Sequence, residues 1–136
     1  MKQQTALITG ASTGIGKATA QKLASEGIKL ILLARREPLL KALQNELLNM
    51  TECHIISCDI NDHKTLIAEL QKLPESFKKI DILINNAGLA LGLSPAHETD
   101  WLDWQTMIQT NCLSLAFLTR QILPGLVDYI GGYKVR

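Results

Sequence analysis

The chain has 136 residues, of which 46% are hydrophobic and 20% charged, a balance typical of one globular domain with a buried core and not of a disordered chain. Its net charge is +1 and its basic residues are scattered, so we expect no binding to nucleic acid. All its apolar runs are shorter than the ~20 residues that cross a bilayer, so we expect no membrane insertion.

Apolar segments rich in Ile and Leu alternate with amphipathic segments along most of the chain. The apolar segments predict strands at about 4–9, 29–34, 53–58 and 80–85, and the amphipathic ones predict helices near 15–26, 38–49 and 62–73. Gly27 is placed to end the first helix in a left-handed conformation. The predicted core face of the second helix consists of Leu39, Leu40, Leu43, Leu47 and Leu48. Continuous apolar strands separated by helices predict a doubly wound parallel α/β sheet of the Rossmann class.

A longer amphipathic segment follows the fourth predicted strand. Thr99 and Asp100 can cap this helix, which is predicted to run to about Leu123, where Pro124 bends or breaks it. A seam with spacings of three and four, apolar except for Asn111, consists of Trp101, Trp104, Ile108, Asn111, Leu115, Leu118 and Ile122. A second apolar face contains Leu113, Ala116 and Phe117. We therefore expect the helix to pack on the sheet and on another chain, as in a homo-oligomer formed through residues 101–122.

Asn111 has two interpretations within that seam. It is either a buried polar residue that fixes the packing register, or a group that holds a water or a carbonyl near an active site. The spacing alone favours the first interpretation.

A glycine-rich turn joins the first strand to the first helix, with the sequence Thr9-Gly10-Ala11-Ser12-Thr13-Gly14-Ile15-Gly16. Gly10 permits a tight turn, Gly14 lets the backbone approach a ligand, and Gly16 lets the helix pack closely on the strand. The free N–H groups of the first helical turn then favour a phosphate, although a tight turn without a ligand fits the same pattern. A P-loop is excluded because Ala11 and Ala18 stand where it needs a glycine and a hydroxyl residue.

The cysteines and histidines give no pattern of a metal site. Cys53, Cys58 and Cys112 are odd in number and form no C-x-x-C pair, and the first two should lie on opposite faces of one strand. The histidines show no helical pairing. The apolar stretch near the N-terminus ends at Gly10, too short for a secretory signal. We therefore predict reduced thiols, no bound metal and a cytoplasmic location.

Four motifs in the expected order resemble the short-chain dehydrogenase/reductase family over essentially the whole chain. The family's glycine motif matches residues 9–16, its N-N-A-G motif matches residues 85–88, its Asp after the third strand matches Asp59, and its Asn in the long helix matches Asn111. Within the family, the chain is most similar to the NADP-dependent 3-hydroxy acid (serine) dehydrogenases. That similarity is carried by Asn85 to Gly92, Pro95-Ala96-His97, Asp103-Trp104 and Met107-Ile108.

The resemblance implies an oxidoreductase that acts on a small hydroxy acid or carbonyl compound, with the strand order 3-2-1-4. It implies that Asn111 is a catalytic residue and that Asp59 bonds the adenine region. The cofactor-binding residues implied by the family's motifs and by the basic doublet are Gly10, Ser12, Thr13, Gly14, Ile15, Gly16, Arg35, Arg36, Asp59, Ile60, Asn86, Ala87 and Gly88.

Arg35 and Arg36 at the end of the second predicted strand indicate the type of dinucleotide. An NAD site of this fold has an acidic residue here, which accepts a hydrogen bond from the ribose 2′-hydroxyl. Guanidinium groups instead suit a 2′-phosphate, although a basic doublet also fits a solvated turn. Together with the glycine turn, the doublet predicts NADP(H).

The family's chemistry uses an Asn-Ser-Tyr-Lys set, of which this chain contains only Asn111. Tyr129 and Tyr133 lack a lysine four residues later, and the neighbouring pair Tyr133-Lys134 cannot place both groups at one site. We therefore expect residues 1–136 to form a single dinucleotide-binding domain that is incomplete at its C-terminus, has an uncovered fourth strand and is inactive alone. Such a domain is either part of an oxidoreductase that a further half completes, a non-catalytic NADP(H)-binding remnant or interaction module, or the product of a decayed gene.

Overall fold

The computed structural model describes residues 3–127, which form a parallel sheet covered by helices on both faces. The strands are β1 (Thr5–Thr9), β2 (Lys29–Ala34), β3 (Cys53–Ser57) and β4 (Ile82–Ile84), and their order is β3-β2-β1-β4. This order and the predicted fold class are confirmed. Among the described strands, β4 forms one edge and pairs only with β1.

Three helices connect the strands: α1 (Gly14–Ser25), α2 (Glu37–Leu47) and α3 (His63–Gln71). Gly27 has a φ of +75°, which confirms its predicted left-handed conformation at the end of α1. Short 3-10 turns lie at Glu75–Phe77 and Ala96–Glu98. After β4 follow α4 (Trp101–Ile108), a π-helical turn (Gln109–Ser114) and α5 (Leu115–Val127).

Alternate side chains of the central strands supply two hydrophobic layers. Leu7 and Ile31 belong to the layer under α3 and α5, whereas Ile8 and Leu32 belong to the layer under α1 and α2. This period-two alternation explains why β1 and β2 are apolar at nearly every position, because both faces of the sheet are covered.

Two of the leucines predicted for the core face of α2 lie outside the core. Leu40, Leu43 and Leu47 are buried, but Leu39 is 36% and Leu48 71% exposed. The buried residues repeat at spacings of three and four, and each step along a helix turns it by ~100°, so the neighbouring positions point away from the sheet.

The long helix differs most from its prediction. The residues that it buries are Thr110, Ser114, Leu118 and Ile122, all four apart, whereas Trp101 is 71% and Ile108 51% exposed. The predicted seam is therefore wrong in its first half. A π-helical turn contains an additional residue compared with an α-helical turn, so it rotates the residues before it out of register with those after it.

The two ends of this segment gave one correct and one wrong prediction. The carboxylate of Asp100 accepts the N–H of Leu102 and caps α4, as expected. Pro124, however, lies inside α5, which continues to Val127. Leu118 and Ile122 anchor the preceding turns on the sheet, and this packing outweighs the one backbone bond that the proline removes.

No helix within residues 3–127 is long and apolar enough to cross a bilayer.

Candidate cofactor site

A cleft of about 330 Å³ lies at the carboxyl ends of the strands. Most of the residues predicted to bind a cofactor line it, namely Gly10, Ser12, Thr13, Arg35, Arg36, Asp59, Ile60, Asn86, Ala87 and Gly88. The remaining lining residues are Leu33, Ala34, Cys58, Asn61, Leu89 and Thr110. Parallel strands order their loops at one edge of the sheet, and for this reason the four segments that follow the strands meet there, with Thr110 of the π-helical turn as a fifth.

The glycine turn brings the first strand, the first helix and the N-N-A-G segment together. Gly10 has a φ of +65°, a left-handed conformation that favours glycine. A Cβ on Gly16 would lie 2.2 Å from the Gly10 carbonyl oxygen and 2.5 Å from Nδ2 of Asn86. Gly16 is therefore needed for contact with the turn and with Asn86, rather than with the strand as a whole. A Cβ on Gly14 would meet no atom within 4 Å, which leaves that backbone open to a ligand.

The N-terminus of α1 is suited to an anion. Its N-cap residue, Thr13, makes no side-chain capping hydrogen bond, and the first turn contains no acidic residue. By contrast, aspartates cap α3 and α4. Because side chains leave the first N–H groups of α1 without a partner, a phosphate can accept them. Gly14 and Ile15 begin this turn beside the cleft, and the Ile15 side chain is 79% exposed.

Thr9 joins the glycine turn to the N-N-A-G segment, a role that the sequence analysis missed. Its buried Oγ1 accepts the N–H groups of Asn86 and Ala87 at 3.0 and 2.9 Å. In return, the Asn86 amide donates to the carbonyl oxygens of Thr9 and Gly10, both at 3.1 Å. The only sequence signal was a threonine at the end of an apolar strand, directly before the glycine.

The two arginines lie at the other side of the cleft. Nη2 of Arg36 is 3.5 Å from Oγ1 of Thr13, and the backbone carbonyl of Arg35 accepts a hydrogen bond from Ser57 at 3.2 Å. In the part of the chain that the structure describes, no ion pair involves either guanidinium. Their positive charge is therefore available to an anionic ligand.

The loop after β3 supplies a carboxylate and an apolar side chain. Oδ1 of Asp59 accepts the N–H of Asn61 at 2.9 Å, and Ile60 is buried. The neighbouring thiol of Cys58 is also buried, which raises its pKa to about 11. Cys53 and Cys58 pack in opposite layers, as predicted.

Asn111 holds the backbone of the loop that follows the N-N-A-G segment. Its Oδ1 accepts the N–H of Leu89 at 2.9 Å, and its Nδ2 donates to the Leu89 carbonyl at 2.8 Å. Asn111 itself is exposed, so the interpretation as a buried register residue is wrong. Its contact with a carbonyl beside the cleft matches the alternative interpretation, and Leu89 and Thr110 connect it to the cleft.

Tyr129, Tyr133 and Lys134 lie outside the described residues. Within residues 3–127, no three or more His, Cys, Asp or Glu side chains form a group that could hold a metal ion.

Comparison with known proteins agrees with this geometry. The chain is 46% identical over 127 residues to serine 3-dehydrogenase of Rhizobium radiobacter, 41% over 129 residues to sulfoacetaldehyde reductase 2 of Chromohalobacter salexigens, and 39% over 129 residues to the NADP-dependent 3-hydroxy acid dehydrogenase of Escherichia coli K12. These alignments cover 93–95% of this chain and 50–51% of the relatives. The chain thus spans about half the length of the curated relatives it matches.

Solved structures show the same correspondence. The closed form of a serine dehydrogenase complexed with NADP+ superposes with a TM-score of 0.86 at 39% identity, covering 92% of this chain and 50% of that one. The sequence model of the family described as short chain dehydrogenase matches residues 4–135. This match includes nearly every residue of the chain. The sheet, the glycine turn and the N-N-A-G segment also have the geometry described above. The chain therefore belongs to the short-chain dehydrogenase family.

Proposed function

We propose that this chain is the NADP(H)-binding part of an oxidoreductase that acts on a small hydroxy acid or carbonyl compound, with residues 1–136 as one dinucleotide-binding domain. The observation that carries the proposal is the combination, in one cleft, of two arginines that form no ion pair within residues 3–127 with a helix N-terminus that its N-cap side chain does not cap. Two separated sites of positive potential suit a ligand with two separated phosphate groups.

The residues of the cleft fit such a dinucleotide in a definite direction. The N–H groups at the start of α1, from Gly14 to Gly16, would donate hydrogen bonds to the pyrophosphate, and Arg35 and Arg36 would bind the 2′-phosphate. Asp59 and Ile60 would contact the adenine. Asn86, Ala87 and Gly88 would line the opposite part of the cofactor, toward Leu89 and Asn111. When bound, the cofactor supplies or accepts a hydride.

Calorimetric titration of the chain with NADPH and NADH tests this assignment. Each charge-assisted bond to the 2′-phosphate contributes about 1.5–3 kcal/mol, so we expect at least a roughly tenfold preference for NADPH. The double variant Arg35→Ala, Arg36→Ala should lose that preference. The double variant Lys72→Ala, Lys78→Ala removes the same charge at exposed positions that do not line the cleft, and it should keep the preference. Equal affinities for the two cofactors in the unaltered chain would contradict the proposal.

The proposal assigns turnover to a longer assembly than these residues. Asn111 is the only member of the expected Asn-Ser-Tyr-Lys set in the chain, and an amide does not ionise near neutral pH, so it can donate a hydrogen bond but cannot transfer a proton to a substrate oxygen. Proton transfer by a positioned acid contributes typically 10²–10⁴-fold to the rate. We therefore expect cofactor binding without steady loss of NADPH absorbance when β-keto acids or small aldehydes are added to the purified 136-residue chain. Steady turnover that the variant Tyr133→Phe abolishes would refute this expectation.

The names of the relatives support an oxidoreductase over a non-catalytic binding module, because they are dehydrogenases and reductases. These names include a hydroxy acid, serine, and an aldehyde, sulfoacetaldehyde, which supports the proposed substrate class.

The partner and the location are further parts of the proposal. A homo-oligomer formed through residues 101–122 is supported by the exposed apolar side chains of Trp101, Leu102, Ile108 and Leu113, and sedimentation at two concentrations tests it. A cytoplasmic location is supported by the absence of disulfides among Cys53, Cys58 and Cys112.

A further inference from the structure

A partly buried polar cluster joins the loop after β3 to the π-helical turn. Nδ2 of Asn61 donates to Oγ1 of Thr110 at 2.9 Å, and Oγ of Ser114 donates to Oδ1 of Asn61 at 2.7 Å. Nε2 of His63 and Nε2 of Gln109 lie 3.0 and 3.3 Å from the same serine oxygen. Ser114 is fully buried, and Thr110 is 6% exposed. Five side chains from two distant segments thus share one network.

The hydrogen count of Ser114 determines how this network is arranged. A serine hydroxyl has one hydrogen to donate and two lone pairs to accept. Its hydrogen goes to Asn61, so Nε2 of His63 must carry a hydrogen and donate it, as Gln109 does. The His63 ring is held from its face by Phe117, with ring centroids 3.9 Å apart and an interplanar angle of 4°. In this arrangement the one hydrogen and both lone pairs of the Ser114 hydroxyl have a partner.

The network lies where it can orient the π-helical turn. Thr110 and Ser114 continue the line of buried residues that Leu118 and Ile122 form on the sheet. Buried hydroxyls need hydrogen-bond partners, and Asn61 bonds both of them. Because the two hydroxyls bracket the π-helical turn, their bonds to Asn61 fix the turn in its orientation.

Asn111 follows Thr110 directly in this turn. We propose that Asn61 is a positioning residue that acts through Thr110 and Ser114 to hold Asn111 in its two hydrogen bonds to Leu89. Asn61 and Leu89 both line the cleft, so the network connects its adenine end to its opposite end. The consequence for cofactor binding rests on the proposed function, whereas the connection itself does not.

Hydrogen exchange of the Leu89 amide tests the connection, since Asn111 is the acceptor of that N–H. In the full chain, Thr110→Val and Ser114→Ala each remove one hydroxyl from the network at little change in volume. We expect the Leu89 amide to exchange at least fivefold faster in both variants, and the amide of Ile31 in the sheet to change less than twofold. Asn111→Ala gives the exchange rate of the Leu89 amide when its hydrogen-bond acceptor is missing. Thr110→Ser keeps the hydroxyl and should preserve the slow exchange, as should Thr106→Ala, which removes an exposed hydroxyl of α4.

A change below twofold at Leu89 in both variants would overturn the inference, as would equal acceleration at Leu89 and Ile31, because the effect would then be global. An unaltered chain in which Leu89 exchanges as fast as in Asn111→Ala would overturn it as well. NADPH titration of the same samples keeps the two proposals apart. Slow Leu89 exchange that depends on the hydroxyls of Thr110 and Ser114, together with no NADPH binding, would support this inference and contradict the proposed function alone.

Discussion

Replacing Thr9 by valine removes the hydroxyl that joins two motifs and keeps the shape of the side chain. Thr9 is 1% exposed, and its oxygen accepts the N–H groups of Asn86 and Ala87. A buried N–H group without an acceptor costs about 1–3 kcal/mol. The third contact of the hydroxyl, to the Ile84 carbonyl at 3.4 Å, is long and adds little. The Asn86 N–H keeps a second acceptor, the Ile84 carbonyl at 3.0 Å, whereas the Ala87 N–H loses its acceptor, so we expect Thr9→Val to lower the free energy of unfolding by about 1–3 kcal/mol.

Urea denaturation followed by circular dichroism at 222 nm measures this loss. For a domain of this size, the corresponding fall in Tm is roughly 10 °C. Thr9→Ser is the matched control, because it keeps the hydroxyl and loses only a methyl group, which costs about 1 kcal/mol. A Thr9→Val chain within 1 kcal/mol of the unaltered protein, or more stable than Thr9→Ser, would show that these hydrogen bonds do not hold the two motifs together.

Two further predictions concern the glycine turn and the thiols. Gly16→Ala should prevent stable folding, because its Cβ would lie 2.2 Å from the Gly10 carbonyl oxygen. In Gly14→Ala the added Cβ would meet no atom within 4 Å, so the free energy of unfolding should fall only by the cost of holding alanine in a left-handed conformation, about 1–2 kcal/mol. Equal urea midpoints for the two variants would contradict this difference. At pH 8, an aromatic disulfide reagent should label one exposed thiol, Cys112, rapidly. Burial raises the pKa of Cys53 and of Cys58 from 9.0 to about 11, which lowers their thiolate fraction roughly a hundredfold. Rapid labelling of two thiols in the folded chain would refute this prediction.

The sequence alone determined the features of this protein that depend on neighbouring residues. The alternation of apolar and amphipathic segments predicted the strands, the first helices and the parallel sheet, because burial on both faces and the helical period act locally. The conformations of Gly10 and Gly27 followed from glycine's access to positive φ. The basic doublet at Arg35 and the motifs that match the family identified most of the residues that line the cleft.

Only the tertiary structure decided how the separate motifs contact one another. Thr9 and Asn86 are 77 residues apart, and Asn61 and Ser114 are 53 apart, so no local pattern reveals that they share hydrogen bonds. The face that the long helix buries also escaped prediction, because the π-helical turn changes the period that the seam assumed. Asn111 illustrates both levels. Its position in the sequence identified it as important, but the turn directs its amide to Leu89 instead of into a buried seam.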